Sequence, residues 1–113
     1  MKQYRFYCIS EAEYRSAAYS GIPLSQFMRK QYDSLDDARR CALSRSTMIF
    51  RRNEREGDDE SPLIHVFHNK REIGTVITSK ARSISGYDGA YHGIWRDRGI
   101  ERDIPLQKDG RTG

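Results

Sequence analysis

The chain has 113 residues, of which 36% are hydrophobic and 32% are charged, so it is expected to form one small domain with a modest core. No apolar run approaches the ~20 residues that a membrane-spanning helix needs, which excludes a bilayer-spanning protein and leaves a soluble, cytoplasmic one as the expectation. The two cysteines, Cys8 and Cys41, have a spacing that fits neither a metal motif nor a disulfide framework, and both are predicted to be small core residues.

Arginine dominates the cations of this chain. The formal net charge is +4, and the 20 basic residues divide into 15 Arg and 5 Lys. A guanidinium group grips phosphate or carboxylate with two parallel hydrogen bonds and stacks on rings, whereas an ammonium group is a strongly hydrated point charge. The composition therefore favours recognition of phosphate or of acidic protein. Arginine-rich codon usage, as in a GC-rich or mobile-element gene, explains it equally well.

The first third of the chain predicts a strand, a short helix and a second strand. Residues 3–9 are rich in aromatic side chains with a period of two, which is typical of a strand. Ser10 and Glu13 have the spacing of a capping box, and a short helix is expected to follow and to stop at Gly21. Residues 24–32 are interpreted as a possible second strand.

The clearest helix signal covers residues 35–51. Ser34 is a plausible N-cap, and two aspartates follow it in the first turn, where the helix dipole favours negative charge. Apolar residues fall within one narrow arc of the helical period: Leu35, Ala38, Ala42 and Ile49.

The other side of this predicted helix carries Arg39, Arg40 and Arg51. Two interpretations stay open for them: a solvated face with weak internal ion pairs, or a face that grips phosphate or carboxylate. Arg45 projects toward the apolar arc, and it either extends its charge out to solvent or meets a buried partner.

A polar loop and a hairpin are expected next. Residues 51–62 contain no side chain able to anchor them in a core, so they are predicted to form an exposed loop. Residues 63–68 and 73–80 are predicted to pair through a four-residue turn at 69–72. The predicted register places Ile64 opposite Ile77 and Val66 opposite Thr75 on one face, with Val76 on the other.

The last third, from Arg82, predicts an irregular arm that is both aromatic and basic. Its glycines disfavour a helix, although residues 100–106 could add a short edge strand. Residues 107–113 are predicted to be a flexible tail after a single domain at 1–106. Rings, guanidinium groups and an imidazole recur along the arm at Tyr87, Tyr91, His92, Trp95, Arg96, Arg98 and Arg102.

Together these elements predict a small α+β fold. An antiparallel sheet of three to five strands packs on one main helix at about 35–51, followed by the irregular arm. The arm is interpreted as a contact surface, and the arginines of the helix are predicted to extend it. Trp95 has an alternative place in the core, because the single tryptophan of a small domain is commonly buried.

No motif for catalysis, a cofactor or a metal is recognised, so no catalytic residue, cofactor or metal ligand is predicted. His65 and His68 would lie on opposite faces of a strand and could not chelate one ion. The chain is therefore predicted to be a non-catalytic binding protein that contacts single-stranded DNA or RNA, or a duplex backbone, through its Arg and aromatic side chains.

Two alternatives remain. A phage- or plasmid-type accessory protein could dock on a host protein complex through the same Tyr, Trp and Arg side chains, which are typical of interface hot spots. A metal-independent ribonuclease needs only a general base, a general acid and a cation, and the histidines, tyrosines and arginines of this chain could supply them. The sequence does not indicate an oligomeric state.

Overall fold

The computed structural model describes residues 5–28, 30–79, 82–83, 86–87, 92–99 and 103–105. The helices are α1 (Glu11–Ser20), a 3-10 helix (Leu24–Phe27) and α2 (Leu35–Glu56), and the strands are β1 (Phe6–Ser10), β2 (Ile64–His68), β3 (Arg71–Ser79), β4 (Arg82–Ser83), β5 (Gly86–Tyr87), β6 (His92–Asp97) and β7 (Asp103–Pro105). Five strands form an antiparallel sheet in the order β1-β2-β3-β6-β7, and β4 pairs with β5 alone. The predicted α+β class is confirmed, and so is the short edge strand, which is β7. The predicted tail at residues 107–113 lies outside the described residues.

Strand β1 leads directly into α1 through the capping box that the sequence predicts. The Ser10 hydroxyl accepts a hydrogen bond from the Glu13 N–H at 3.2 Å, and the Glu13 carboxylate accepts one from the Ser10 N–H at 3.0 Å. These bonds satisfy two backbone donors of the first turn. The helix ends at Gly21, whose φ of 69° is left-handed and suits a residue without a side chain.

The predicted strand at residues 24–32 is wrong. Leu24–Phe27 is a 3-10 helix, in which the Gln26 N–H bonds to the Pro23 carbonyl at 3.0 Å. Proline fixes its own φ near the value that a tight turn needs, so the chain coils here instead of extending. Only Tyr32 pairs with β1, through two backbone hydrogen bonds to Phe6 of 2.9 Å each.

Helix α2 begins as predicted and ends later. The Ser34 hydroxyl accepts from the Asp37 N–H at 3.1 Å, as expected for the N-cap. The helix then continues through residues 51–56, where the polar sequence predicts a loop, and stops at Gly57 with a φ of 73°. Arg, Glu and Asn in this stretch are polar, but arginine and glutamate are also strong helix formers, and polarity alone does not end a helix.

The hairpin of β2 and β3 exists, but its predicted turn and register are wrong. Only Asn69 and Lys70 form the turn, because asparagine tolerates the left-handed φ of 59° that a tight turn requires. A β-bulge then shifts the pairing between Val66 and Phe67, and Ile64 lies opposite Val76 instead of Ile77. A one-residue shift moves every later side chain to the other face, so Val76 is buried and Ile77 is 36% exposed.

The core lies between the sheet and α2. Its buried residues come from four strands and the helix: Cys8, Ala38, Ala42, Leu43, Ile64, Val66, Val76 and Trp95. Helix α1 covers part of the opposite face, where Tyr14 stacks on His65 with ring centres 4.2 Å apart. Among the described helices, none has both the length and the apolar composition to cross a membrane.

Part of the segment predicted as an irregular arm is a strand inside the sheet. Residues 92–97 form β6, which pairs along its full length with β3. Alternation along this strand turns Gly93 and Trp95 inward and His92, Ile94 and Arg96 outward. Trp95 is 0% exposed. Its interpretation as a contact residue is therefore wrong, and the alternative prediction, a place in the core, is correct.

Candidate functional site

An arginine-lined cleft lies along the C-terminal half of α2. It has a volume of about 440 Å³ and is lined by Ser10, Arg45, Met48, Ile49, Arg51, Arg52, Arg55 and Glu60. We call it the arginine cleft. The lining contains four guanidinium groups and one carboxylate, so cations outnumber anions at this surface. The helical period brings the four arginines together, because positions 45, 48, 51, 52 and 55 follow one another on neighbouring turns.

Ion pairs hold part of this cationic surface in place. Arg52 pairs with Glu60 at 2.5 Å, and Arg55 lies 3.4 Å from Glu56. Arg45 donates to the Cys8 carbonyl at 2.9 Å and pairs with Glu13 at 3.3 Å. Arg45 therefore meets partners at the edge of the core, which resolves the two interpretations that the sequence left open. Side chains that are already ordered lose less entropy when they grip an anion.

The helix arginines that the sequence singled out separate into different roles. Arg51 lines the arginine cleft. Arg40 is exposed, on the solvent side of α2, and its guanidinium lies 3.8 Å from the Asp37 carboxylate. Arg39 is turned inward, with its guanidinium 4.4 Å from the centre of the Trp95 ring. Arg39 therefore acts as a cover for the core tryptophan, and it is the least available of the three for a partner.

Among the candidate residues of the C-terminal arm, the structure describes the side chains of His92, Trp95, Arg96 and Arg98, and it buries only Trp95. His92 and Arg96 lie on the outward face of β6, while Arg98 follows the strand and donates to Glu72 at 2.7 Å. The side chain of Tyr87, and the whole of Tyr91 and Arg102, lie outside the described residues.

A buried imidazole sits between two carboxylates on the face of the sheet under α1. His65 Nδ1 is 2.7 Å from Glu72 and His65 Nε2 is 2.5 Å from Glu11. Burial alone would lower the pKa of His65, but the hydrogen bonds with Glu72 and Glu11 outweigh it and raise the pKa above its ordinary value. In the protonated form both ring nitrogens donate, and His65 is then the cationic centre of an ion-pair cluster. His68 lies on the other face, stacked on Phe6 at 4.7 Å, as the strand geometry predicts.

A smaller cavity of about 260 Å³ lies next to the arginine cleft and contains both cysteines. Its lining is Cys8, Glu13, Phe27, Lys30, Tyr32, Cys41 and Arg45, and we call it the thiol pocket. The Tyr32 hydroxyl is 2.7 Å from Cys41 Sγ. Cys8 is buried, as the sequence predicts, but Cys41 is half-buried and faces this cavity. Sequence spacing carries no signal for the pocket, because Tyr32 and Cys8 reach Cys41 only through the tertiary fold.

Comparison with known proteins adds no functional assignment to these sites. Within the described part of the chain, no group of three or more His, Cys, Asp or Glu side chains is arranged to hold a metal ion. Within the part of the chain that the structure describes, the arginine cleft and the thiol pocket each bring reactive or charged side chains around an open volume. No protein-family model, no curated protein and no solved structure matches this chain.

Proposed function

We propose that this protein binds nucleic acid through the sugar–phosphate backbone, without catalysing a reaction, and that the arginine cleft is the contact surface. The observation that carries the proposal is the convergence of Arg45, Arg51, Arg52 and Arg55 on one open volume with a single lining carboxylate. A guanidinium group matches the geometry of a phosphate with two parallel hydrogen bonds, and phosphate contacts dominate the affinity of nucleic-acid binding proteins.

The spacing of the exposed arginines suits a linear polyanion. Arg51 and Arg55 are one helical turn apart, which separates them by about 6 Å along the axis of α2. Arg40 lies on the same solvent side of α2 and extends the basic surface about 16 Å toward the N-terminus of the helix. A phosphate backbone lying along α2 could therefore contact successive guanidinium groups. Because Trp95 is buried, this mode of binding relies on phosphate contacts instead of the ring stacking expected from the sequence.

The test is fluorescence anisotropy with labelled single-stranded DNA, RNA and duplex DNA across a salt series. We expect binding that weakens steeply as salt rises, with a log–log slope of about −0.9 per phosphate contacted on duplex DNA. The double variant Arg51→Gln/Arg55→Gln is expected to bind at least tenfold more weakly and to reduce the slope by about two.

The matched control is Arg15→Gln/Arg71→Gln, which removes the same charge from exposed positions outside the cleft lining. It is expected to retain most of the affinity. Equal losses in both double variants would mean that net charge alone drives binding, and the cleft would then have no special role. Intact RNA at the end of the titration is the expected result, and cleaved RNA would favour the ribonuclease alternative.

A protein partner is the second candidate, and Met48 is the observation that favours it. Met48 lines the cleft and is 67% exposed, and methionine is common at adaptable protein-binding surfaces. Met48→Ala separates the two functions, since it should leave phosphate binding unchanged and weaken a protein complex. The absence of nucleic-acid binding even at low salt would contradict the first proposal and leave this one.

A further inference from the structure

We propose that Cys41 is a redox modification site, at which a small hydroperoxide oxidises the thiolate and Cys8 resolves the product to an intramolecular disulfide. The site is the thiol pocket, which shares Arg45 with the lining of the arginine cleft. Four features of the structure carry the proposal: an accessible cysteine, a hydroxyl donor on its sulfur, nearby cations, and a second thiol in the lining of the same pocket.

The sulfurs of Cys41 and Cys8 differ in solvent exposure, and this difference indicates which of them reacts first. Cys41 is half-buried and lines an open volume of about 260 Å³, large enough to admit a small oxidant. Cys8 is only 6% exposed, and its thiol lies 3.2 Å from the Ala38 carbonyl on α2. Cys8 also lines the thiol pocket, together with Cys41. A peroxide therefore meets Cys41 first, and Cys8 is the group best placed to attack next.

The pocket favours the thiolate form of Cys41. Interaction with the neighbouring Cys8 thiol lowers the pKa of Cys41 most, and although burial opposes it, the Tyr32 hydroxyl, Arg45 and Lys30 add to the lowering, to about 6. Burial and the hydrogen bond with Cys41 raise the pKa of Tyr32, so that its hydroxyl keeps the proton that it donates. The thiolate is the reactive form of cysteine, and this arrangement makes it abundant at neutral pH.

Charged and titratable groups from every element that lines the pocket affect whether Cys41 is a thiol or a thiolate. Helix α2 contributes Arg45, the segment before α2 contributes Lys30 and Tyr32, β1 contributes Cys8, and α1 contributes Glu13. Glu13 is the one carboxylate in the lining, and its charge is shared with Arg45 at 3.3 Å. The lining thus carries two cations and one paired anion, which favours a negative charge on sulfur.

The proposed chemistry balances without a cofactor. The Cys41 thiolate attacks one oxygen of the hydroperoxide, the O–O bond breaks, and an alkoxide or hydroxide leaves, so that sulfur is oxidised to the sulfenic acid and the peroxide is reduced. The Cys8 thiol attacks the Cys41 sulfur and passes its proton to the departing hydroxide. The S–O bond breaks, water leaves, and the disulfide forms. A dithiol reductant reverses the modification.

The experiment treats the reduced full-length protein with one equivalent of hydrogen peroxide at pH 7. We expect both free thiols to disappear together, with a mass loss of two hydrogens in the intact monomer. The rate should exceed that of free cysteine at least tenfold, because only a few per cent of an ordinary cysteine is thiolate at this pH. A reaction no faster than free cysteine, or a disulfide between two chains instead of within one, would overturn the proposal.

Variants assign each role. Cys8→Ala should halt at the sulfenic acid, which dimedone traps on Cys41, and Cys41→Ser should leave Cys8 unreacted. Tyr32→Phe should slow the reaction several-fold below pH 7, whereas Tyr19→Phe, at a position 87% exposed on α1, should not. The Tyr32 pair keeps the test decisive if the substitution of buried Cys8 prevents folding. Absence of a dimedone adduct in folded Cys8→Ala would contradict the proposed intermediate.

Discussion

The Arg39 guanidinium covers the face of the buried Trp95 ring, with 4.4 Å between the guanidinium carbon and the ring centre. The indole is fully enclosed, and its Nε1 has no hydrogen-bond partner among the described residues. A cation over an aromatic face is attracted by the ring quadrupole, more strongly when water is excluded. This contact joins α2 to β6. Trp95, which the sequence predicts to be a binding residue, is therefore part of the core.

Arg39→Met is expected to destabilise the fold by about 1 kcal/mol, because it keeps an apolar cover of similar length and removes the charge. The matched control is Arg40→Met, next in sequence but exposed, which should change stability very little. Urea denaturation followed by the fluorescence of the single tryptophan measures both. Equal stability of the two variants would mean that the cation–ring contact contributes nothing beyond burial.

Gly74→Ala is expected to be strongly destabilising. A Cβ built at Gly74 would lie 2.4 Å from two atoms of the Trp95 ring and 2.7 Å from the Arg96 carbonyl oxygen. Neither the indole nor the backbone of a paired strand can move without disturbing the core, and overpacking of this kind costs about 1–3 kcal/mol or more.

Gly93→Ala is the comparison for Gly74→Ala. Its Cβ would lie 2.4 Å from a terminal methyl group of Leu43, which can change rotamer. We therefore expect a smaller loss than for Gly74→Ala in the same thermal or urea measurement. The reverse order would show that Trp95 has more freedom to shift than its packing indicates.

Ser46 on α2 completes the hydrogen bonding of β3. Strand β2 begins at Ile64, which pairs with Val76, so β3 continues past the end of its neighbour. The Thr78 N–H lies in this extension and donates to the Ser46 hydroxyl at 2.8 Å. A buried N–H that loses its acceptor costs about 1–3 kcal/mol.

Ser46→Ala is accordingly expected to destabilise the protein by about 1–2 kcal/mol, after the better helix propensity of alanine offsets part of the loss. Ser44→Ala is the matched control at an exposed position of the same helix, and it should be neutral or slightly stabilising. Amide hydrogen exchange at Thr78 provides an independent readout, since protection there should fall only in Ser46→Ala.

Local signals in the sequence predicted the helices better than the sheet. The caps at Ser10 and Ser34 depend on side chains within three residues, and both are where the sequence places them. The predicted end of α2 at residue 51 is wrong because the helix is stopped by Gly57 and not by the polarity of the residues before it. The hairpin register depends on a bulge and on a left-handed Asn69, and neither has a periodic signal.

The sites depend on tertiary contacts that no spacing reveals. The recurrence of Tyr87, Tyr91 and Trp95 every four residues indicated a shared surface, but β6 is a strand, and alternation on a strand turns Trp95 inward. The prediction of surface residues on α2 is more accurate, since Arg40 and Arg51 are exposed as the helical period requires. Cys41 was predicted only as core, because Tyr32 approaches it through the packing of a non-helical segment.

The Glu11–His65–Glu72 cluster should make stability depend on pH in a defined window. The pKa of His65 is raised, so its stabilising contribution is complete below the unfolded value of about 6.5 and is lost as pH rises through the folded value. Burial alone would raise the pKa of Glu11, but hydrogen bonds with His65 and Arg15 lower it, so its contribution holds above about 4.5 and is lost as pH falls. Stability from this cluster should therefore be greatest between about pH 4.5 and 6.5.

His65→Ala tests this window directly. Removing the imidazole takes one partner from two largely buried carboxylates, while Glu11 keeps Arg15 and Glu72 keeps Arg98, so we expect a loss of about 1–3 kcal/mol. The loss should be greatest between about pH 4.5 and 6.5, and it should become smaller as pH rises through the raised pKa of the folded wild-type imidazole. Adding Glu72→Gln to His65→Ala should restore part of the stability, because it removes the charge of one carboxylate that has lost the imidazole. Urea denaturation from pH 4.5 to 8.5 measures the effect, and a stability difference that is constant over this range would mean that His65 stays neutral and acts only through packing.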